Sequence, residues 1–136
     1  MRSVLVDSSA FLSLEDADER SHEAATLAFR GLVSAGTHLL TTNFVFDESY
    51  TLILTRLGRR RAVAWGTSAR QSKLIELMRV DEDHEEAAWE LILSFEDKSF
   101  SFTDATSFAV AESLEIEEAL SLDRHFRECG RLRVLP

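Results

Sequence analysis

Four acidic residues stand where a carboxylate can do chemistry: Asp7, Glu48, Asp104 and Asp123. The stretch "SFTDATSFAVAE", Ser101 to Glu112, poses the question most sharply. Read with helical period, Asp104, Phe108 and Ala111 fall at i, i+4 and i+7 on one face, and Ala105, Ala109 and Leu114 widen it. A carboxylate on an apolar stripe is costly to bury without a partner. One partner is local. Ser101 to Asp104 reads as a capping box, with Ser101 as N-cap and Asp104 reaching back to a free backbone N–H. Asp7 and Asp123 each close a short apolar run, "RSVLVD" and "EEALSLD". Glu48 borders the apolar stripe of a helix, with Phe44, Val45 and Leu52 at i−4, i−3 and i+4. Singly, each acid has an ordinary structural explanation: a helix cap, a boundary glutamate near a helix start, a turn aspartate after a strand.

Jointly they call for more. Converging carboxylates repel one another and lose hydration, so a fold that gathers them needs a counter-ion. Oxygen-only donors suit Mg2+ or Mn2+. Such ions polarise a phosphoryl oxygen and lower the pKa of bound water, which points to phosphodiester hydrolysis.

The elements that must position these acids follow from the pattern. "RSVLVD", "HLLTT", "KLIELMRV", "EEALSLD" and "RLRVLP" read as strands. "SSAFLSL" begins a short helix capped by Ser8 or Ser9, and a longer helix runs from a cap at Ser21 to Gly36. "NFVFDESYTLILTRLG" is helical to Gly58, and "RRRAVAWGTSARQS" is helical despite Gly66. "DHEEAAWELILSFED", the stretch from Ser101, and the short "RHFREC" complete the helices. Strands alternating with single or paired helices predict a three-layer α/β/α sandwich around a mainly parallel sheet. In such sheets ligands bind beyond the carboxyl ends of the strands, where Asp7 and Asp123 fall. The start of the helix bearing Asp104 reaches that edge only if the preceding connection delivers it there.

Composition bounds the rest. The chain has 136 residues, 45% of them hydrophobic, which predicts one domain spanning residues 1–136. Its single cysteine, Cys129, allows no intrachain disulfide and fits a reducing cytoplasm, as a small, partly buried side chain. The apolar run at the N-terminus is cut by Asp7 and is no convincing signal peptide. No stretch approaches a membrane span. A net charge of −9 argues against a polyanionic partner unless divalent cations bridge carboxylates to phosphate. The densest positive patch is Arg56, Arg59, Arg60 and Arg61. It is either a tracker of nucleic-acid phosphates or a solvated helix start. His22, His38, His84 and His125 have no spacing that builds a zinc site.

In order and spacing, "VLVDSSAFLSL", "TTNFVFDESYTLI", "DKSFSFTDATSFAVAE" and "ALSLDRHF" resemble the PIN-domain ribonucleases, in particular the small prokaryotic PIN proteins that include toxins of VapBC-type toxin–antitoxin modules. The resemblance covers essentially the whole chain. It implies a parallel sheet flanked by helices and a Mg2+- or Mn2+-dependent endoribonuclease with Asp7, Glu48, Asp104 and Asp123 as its metal-binding acids. Asp123 corresponds to the least dependable ligand of the family. A homodimer and a small inhibitory antitoxin protein are implied as well. Ser8, Ser9 and Thr103 match small hydroxyl positions that hold a carboxylate or a bound water in place. Ala105 stands where many relatives carry Cys. Asp97 is an outer acid or half of a loop ion pair with Lys98. Two rivals are set against this expectation: a receiver-like phosphoacceptor module, and a catalytically inactive interaction domain. The first needs an acidic pair after the first strand and a lysine near the last, neither of which is present.

Overall fold

The computed structural model describes residues 1–136. In chain order the elements are β1 (Ser3–Val6), α1 (Ser8–Glu15), α2 (His22–Ser34), β2 (His38–Thr42), α3 (Asn43–Leu57), α4 (Arg59–Gln71), β3 (Ile75–Met78), α5 (Glu82–Ser94), α6 (Phe102–Ser113), β4 (Glu118–Leu120), α7 (Arg124–Cys129) and β5 (Arg133–Leu135). Every expected strand and helix is present, with the third and fourth strands shorter than their apolar runs. Gly58, at φ 91°, is the break that lets α3 end and α4 begin at once.

The strands form one sheet in the order β3-β2-β1-β4-β5, all neighbours parallel. Side chains alternate between its faces. Val4 and Val6 join Phe11, Leu32, Leu39, Ile53 and Trp65 on the side covered by α1 to α4. Leu5 and Leu40 join Leu91, Phe100, Phe108 and Phe126 on the side covered by α5 to α7. This is the three-layer parallel α/β/α architecture that the strand–helix alternation predicts.

The order has a consequence for chemistry. From β1 the chain moves to β2 and β3, whereas from β4 it moves the other way to β5. The two connections cover opposite faces, so a crevice opens between the carboxyl ends of β1 and β4. Asp7 follows β1, and Asp123 lies three residues beyond β4. The Asp7 N–H donates to Leu120 O at 3.0 Å, which fastens the two strand ends together.

The connection that delivers Asp104 is α5. His84, in its first turn, lies 3.1 Å from the Ser113 hydroxyl at the end of α6. The two helices therefore run antiparallel, and the residues between them bring the start of α6 back to the crevice.

Candidate active site

Each acid arrives by its own local logic. Asp7 ends β1 and is itself the N-cap of α1, accepting from Ser9 N at 3.4 Å. The cap expected at Ser8 or Ser9 is thus one residue earlier, and the two hydroxyls are freed to hold acids. Ser9 Oγ donates to Asp7 Oδ2 at 2.8 Å, and Ser8 Oγ donates to Glu48 Oε1. Ser121, just past β4, donates a further bond to Asp7 Oδ2 at 3.0 Å. Glu48 reaches the crevice from the second turn of α3. Asp123 caps α7, accepting from His125 N at 2.9 Å.

Asp104 answers the question set by its apolar stripe in both ways at once. The capping box with Ser101 is complete: Asp104 N donates to Ser101 Oγ at 3.0 Å, and Ser101 N donates to Asp104 Oδ2 at 3.2 Å. The carboxylate also lies in the acid group. Ligand atoms of Asp104, Asp123 and His125 lie within 4.8 Å of one another. His125 Nδ1 donates to Asp104 Oδ2 at 2.9 Å and stands 3.6 Å from Asp123 Oδ1.

The acids feel one another's charge. Burial pushes Asp7 up to about 6, opposed by the Ser9 hydroxyl and reinforced by the charge of Asp104. Glu48 is raised by burial, against the Ser8 bond, and further by the charges of Asp104, Asp123 and Asp47. Asp104 is raised by burial, against the His125 hydrogen bond, and further by Asp123. The only basic side chain touching any of the four is His125.

The donor set fits a hard divalent cation. Asp7 is 1% exposed, and its Oδ1 is buried with no hydrogen-bond partner. Both side-chain bonds of Asp104 end on Oδ2, leaving Oδ1 open. An unpartnered carboxylate oxygen beside other raised carboxylates is suited to a divalent cation.

Other expected residues sort plainly. Thr103 holds no carboxylate; its carbonyl accepts from Thr106 Oγ1 at 2.8 Å. Asp97 pairs with Lys98 at 3.3 Å. In the basic cluster, Arg56 binds Glu19 at 2.8 Å and Arg61 binds Glu15, so half of it ties the α1–α2 segment to the α3–α4 hairpin. Cys129 is buried, which pushes its thiol up and leaves it inert. Sequence reasoning missed Ser121 and His125. Ser121 carries a weak signal, a hydroxyl beside the strand end that carries Asp123. His125 carries none, because its partner Asp104 is distant in the chain.

Residues 4–132 match the PIN-domain family. The chain belongs to that family. It is 35% identical over 133 residues to the 23S rRNA-specific endonuclease VapC20 of Mycobacterium tuberculosis, covering 98% of each chain. The crystal structure of that PIN protein, described as a sarcin-ricin loop cleaving toxin, superposes with a TM-score of 0.87 over 98% of this chain and 99% of the other, at 33% identity. VapBC2 of Rickettsia felis, solved bound to a promoter DNA fragment, superposes with a TM-score of 0.74 at 8% identity, over 97% of this chain and 96% of that one. This last likeness is one of fold alone. No helix of the present PIN domain is long and apolar enough to cross a membrane.

Proposed function

We propose that this PIN domain is a divalent-metal-dependent endoribonuclease whose metal is held by Asp7, Glu48, Asp104 and Asp123. The observation that carries the reading is the buried, unpartnered Asp7 oxygen, on a carboxylate that feels the charge of Asp104, which in turn clusters with Asp123 and His125. A bound Mg2+ or Mn2+ would supply Lewis acidity toward the phosphoryl oxygens and a water of lowered pKa. The protein's own residues do the positioning. Ser9 and Ser121 lock Oδ2 of Asp7 and leave Oδ1 as its one unpartnered oxygen. Ser8 holds Oε1 of Glu48. His125 and Ser101 together fix Oδ2 of Asp104 and leave its other oxygen open.

The substrate is RNA, and 23S rRNA is the first to try. The likeness to VapC20 spans nearly the full length of both chains, which supports a shared substrate class. The same likeness supports a role as a toxin; the reading further assigns it a small inhibitory antitoxin partner and a homodimeric assembly. A receiver-like role finds no support, since no lysine faces the acids.

Incubating purified protein with total RNA in Mn2+, Mg2+ or EDTA tests the reading. Wild type cleaves with either metal and not in EDTA, and Asp104→Asn, a near-isosteric change, loses at least about 100-fold, since even outer-shell partners of metal ligands cost 10–100-fold. Cleavage by Asp104→Asn at the wild-type rate would return Asp104 to the role of a helix cap.

A further inference from the structure

A second feature lies on the same edge of the sheet, one strand beyond β2. Asn43, Phe46, Arg70, Leu77 and Arg79 line a cavity of about 330 Å3. Asn43 follows β2 directly, and Arg79 follows β3. The registers Leu5↔Leu40 and Thr42↔Met78 put Asp7 level with Thr42 and Met78, so Arg79 stands at the height of the acids. Two strand spacings separate β3 from β1, about 10 Å along the edge.

The lining is made for an anion. Arg70 and Arg79 are exposed, and neither has a carboxylate within ion-pair distance, unlike Arg2, Arg56, Arg61, Arg124 and Arg131. The cavity wall contains no acid. Two guanidinium groups on one cavity repel unless an anion lies between them, and their planar forks suit the paired oxygens of a phosphodiester. Asn43 adds a donor. Its Oδ1 accepts from Val80 N at 2.7 Å, which leaves the NH2 end of the amide free. Phe46 is a firm apolar wall, stacked on Trp65 with ring centroids 5.3 Å apart and backed by Gly66, where a Cβ would come 3.5 Å from its ring.

We propose that this cavity binds a backbone phosphate of the RNA strand a short run of nucleotides away from the bond at the acid cluster. The proposal rests on the ribonuclease reading and adds the path of the strand: across the carboxyl ends of β1, β2 and β3. A chain of net charge −9 thereby holds a polyanion, with cation-bridged acids at one end of the path and free arginines at the other.

Fluorescence anisotropy of a labelled single-stranded oligoribonucleotide tests this in Mg2+, in an Asp104→Asn background where cutting is slowed at least about 100-fold. Arg70→Ala/Arg79→Ala is compared with Arg20→Ala/Arg30→Ala, which removes the same charge from positions elsewhere on the surface. The first pair is expected to weaken binding about tenfold or more and to lower the slope of log affinity against log salt by about 0.7, the share of the one phosphate no longer neutralised. The second pair moves the slope little. Equal effects of the two pairs would overturn the proposal by reducing it to net charge, and no effect of either would overturn it outright. RNA binding left intact while Arg70→Ala/Arg79→Ala releases a co-expressed acidic protein would also overturn it, making the cavity a protein contact. Wild-type cleavage of RNA alongside any of these failures would leave the nuclease reading standing. A wild type that neither binds nor cuts RNA would remove both.

Discussion

β1 and β4 carry acidic residues at both ends of their shared ladder, and the two ends are built in opposite ways. At the amino end Glu118 receives Arg2 in a two-pronged bond, 2.7 Å and 3.0 Å, and that bond holds its carboxyl below the usual range. At the carboxyl end Asp7 is buried, meets serine hydroxyls and other acids, and is pushed up to about 6. One fold, with the same pair of strands, neutralises one carboxylate with its own arginine and leaves the other without a cation. Under the proposed function, this contrast is what marks Asp7, and not Glu118, as an acid for chemistry.

The largest expected difference between the two ends lies in pH dependence. In metal-free protein Asp7 keeps a proton in the folded state to about pH 6, whereas the unfolded chain releases it near 4. Between those values the folded state binds more protons, so stability falls as pH rises. The contribution is fully present below about pH 4 and lost through about pH 6, about 3 kcal/mol in all. Urea melts in EDTA at about pH 4.5 and pH 7.5 check it: Asp7→Asn should lack this part of the decline. A wild type that gains stability over that range relative to the variant would mean that Asp7 already has a cationic partner.

Next come the serines. Ser9→Ala and Ser121→Ala each remove a bond that fixes Oδ2 of Asp7, and each is expected to slow metal-dependent RNA cleavage about 10–100-fold with the fold intact. Unchanged rates would show that Asp7 holds its position without them. The smallest effect belongs to the amino end. Arg2→Ala breaks an exposed ion pair of the kind that contributes little, so cleavage should be unchanged and the melting temperature nearly so. A marked loss of activity would end the comparison, because the two ends would then be coupled.

Much of this arrangement is legible in the chain. The alternation of apolar runs with helical periods gives the three-layer parallel fold, and the abrupt breaks place Asp7 at the end of β1 and Asp123 on the same edge, three residues past β4. The four motifs together carry the family. Asp104 shows the limit of local reasoning: its capping box is visible in four residues, but its place among other acids depends on α5 lying antiparallel to α6. Ser121 and His125 escape because their partners, Asp7 and Asp104, are brought to them only by β1 lying beside β4 and α7 turning back over α6. The cap of α1 lies one residue earlier than the two serines suggest, since a strand-end aspartate serves as N-cap as well as serine does.

The most direct test of the central claim is the thermal melting of wild type and Asp7→Asn at about pH 7.5, each in EDTA and in Mn2+. A cation that binds only the folded state raises its melting temperature by mass action. Wild type should therefore melt higher in Mn2+ than in EDTA. Asp7→Asn should match or exceed wild type in EDTA, relieved of a buried charge, and gain much less from Mn2+. An Asp7→Asn protein that melts earlier than wild type in EDTA and gains as much from Mn2+ would contradict the account, leaving Asp7 a structural cap and the ion's site elsewhere.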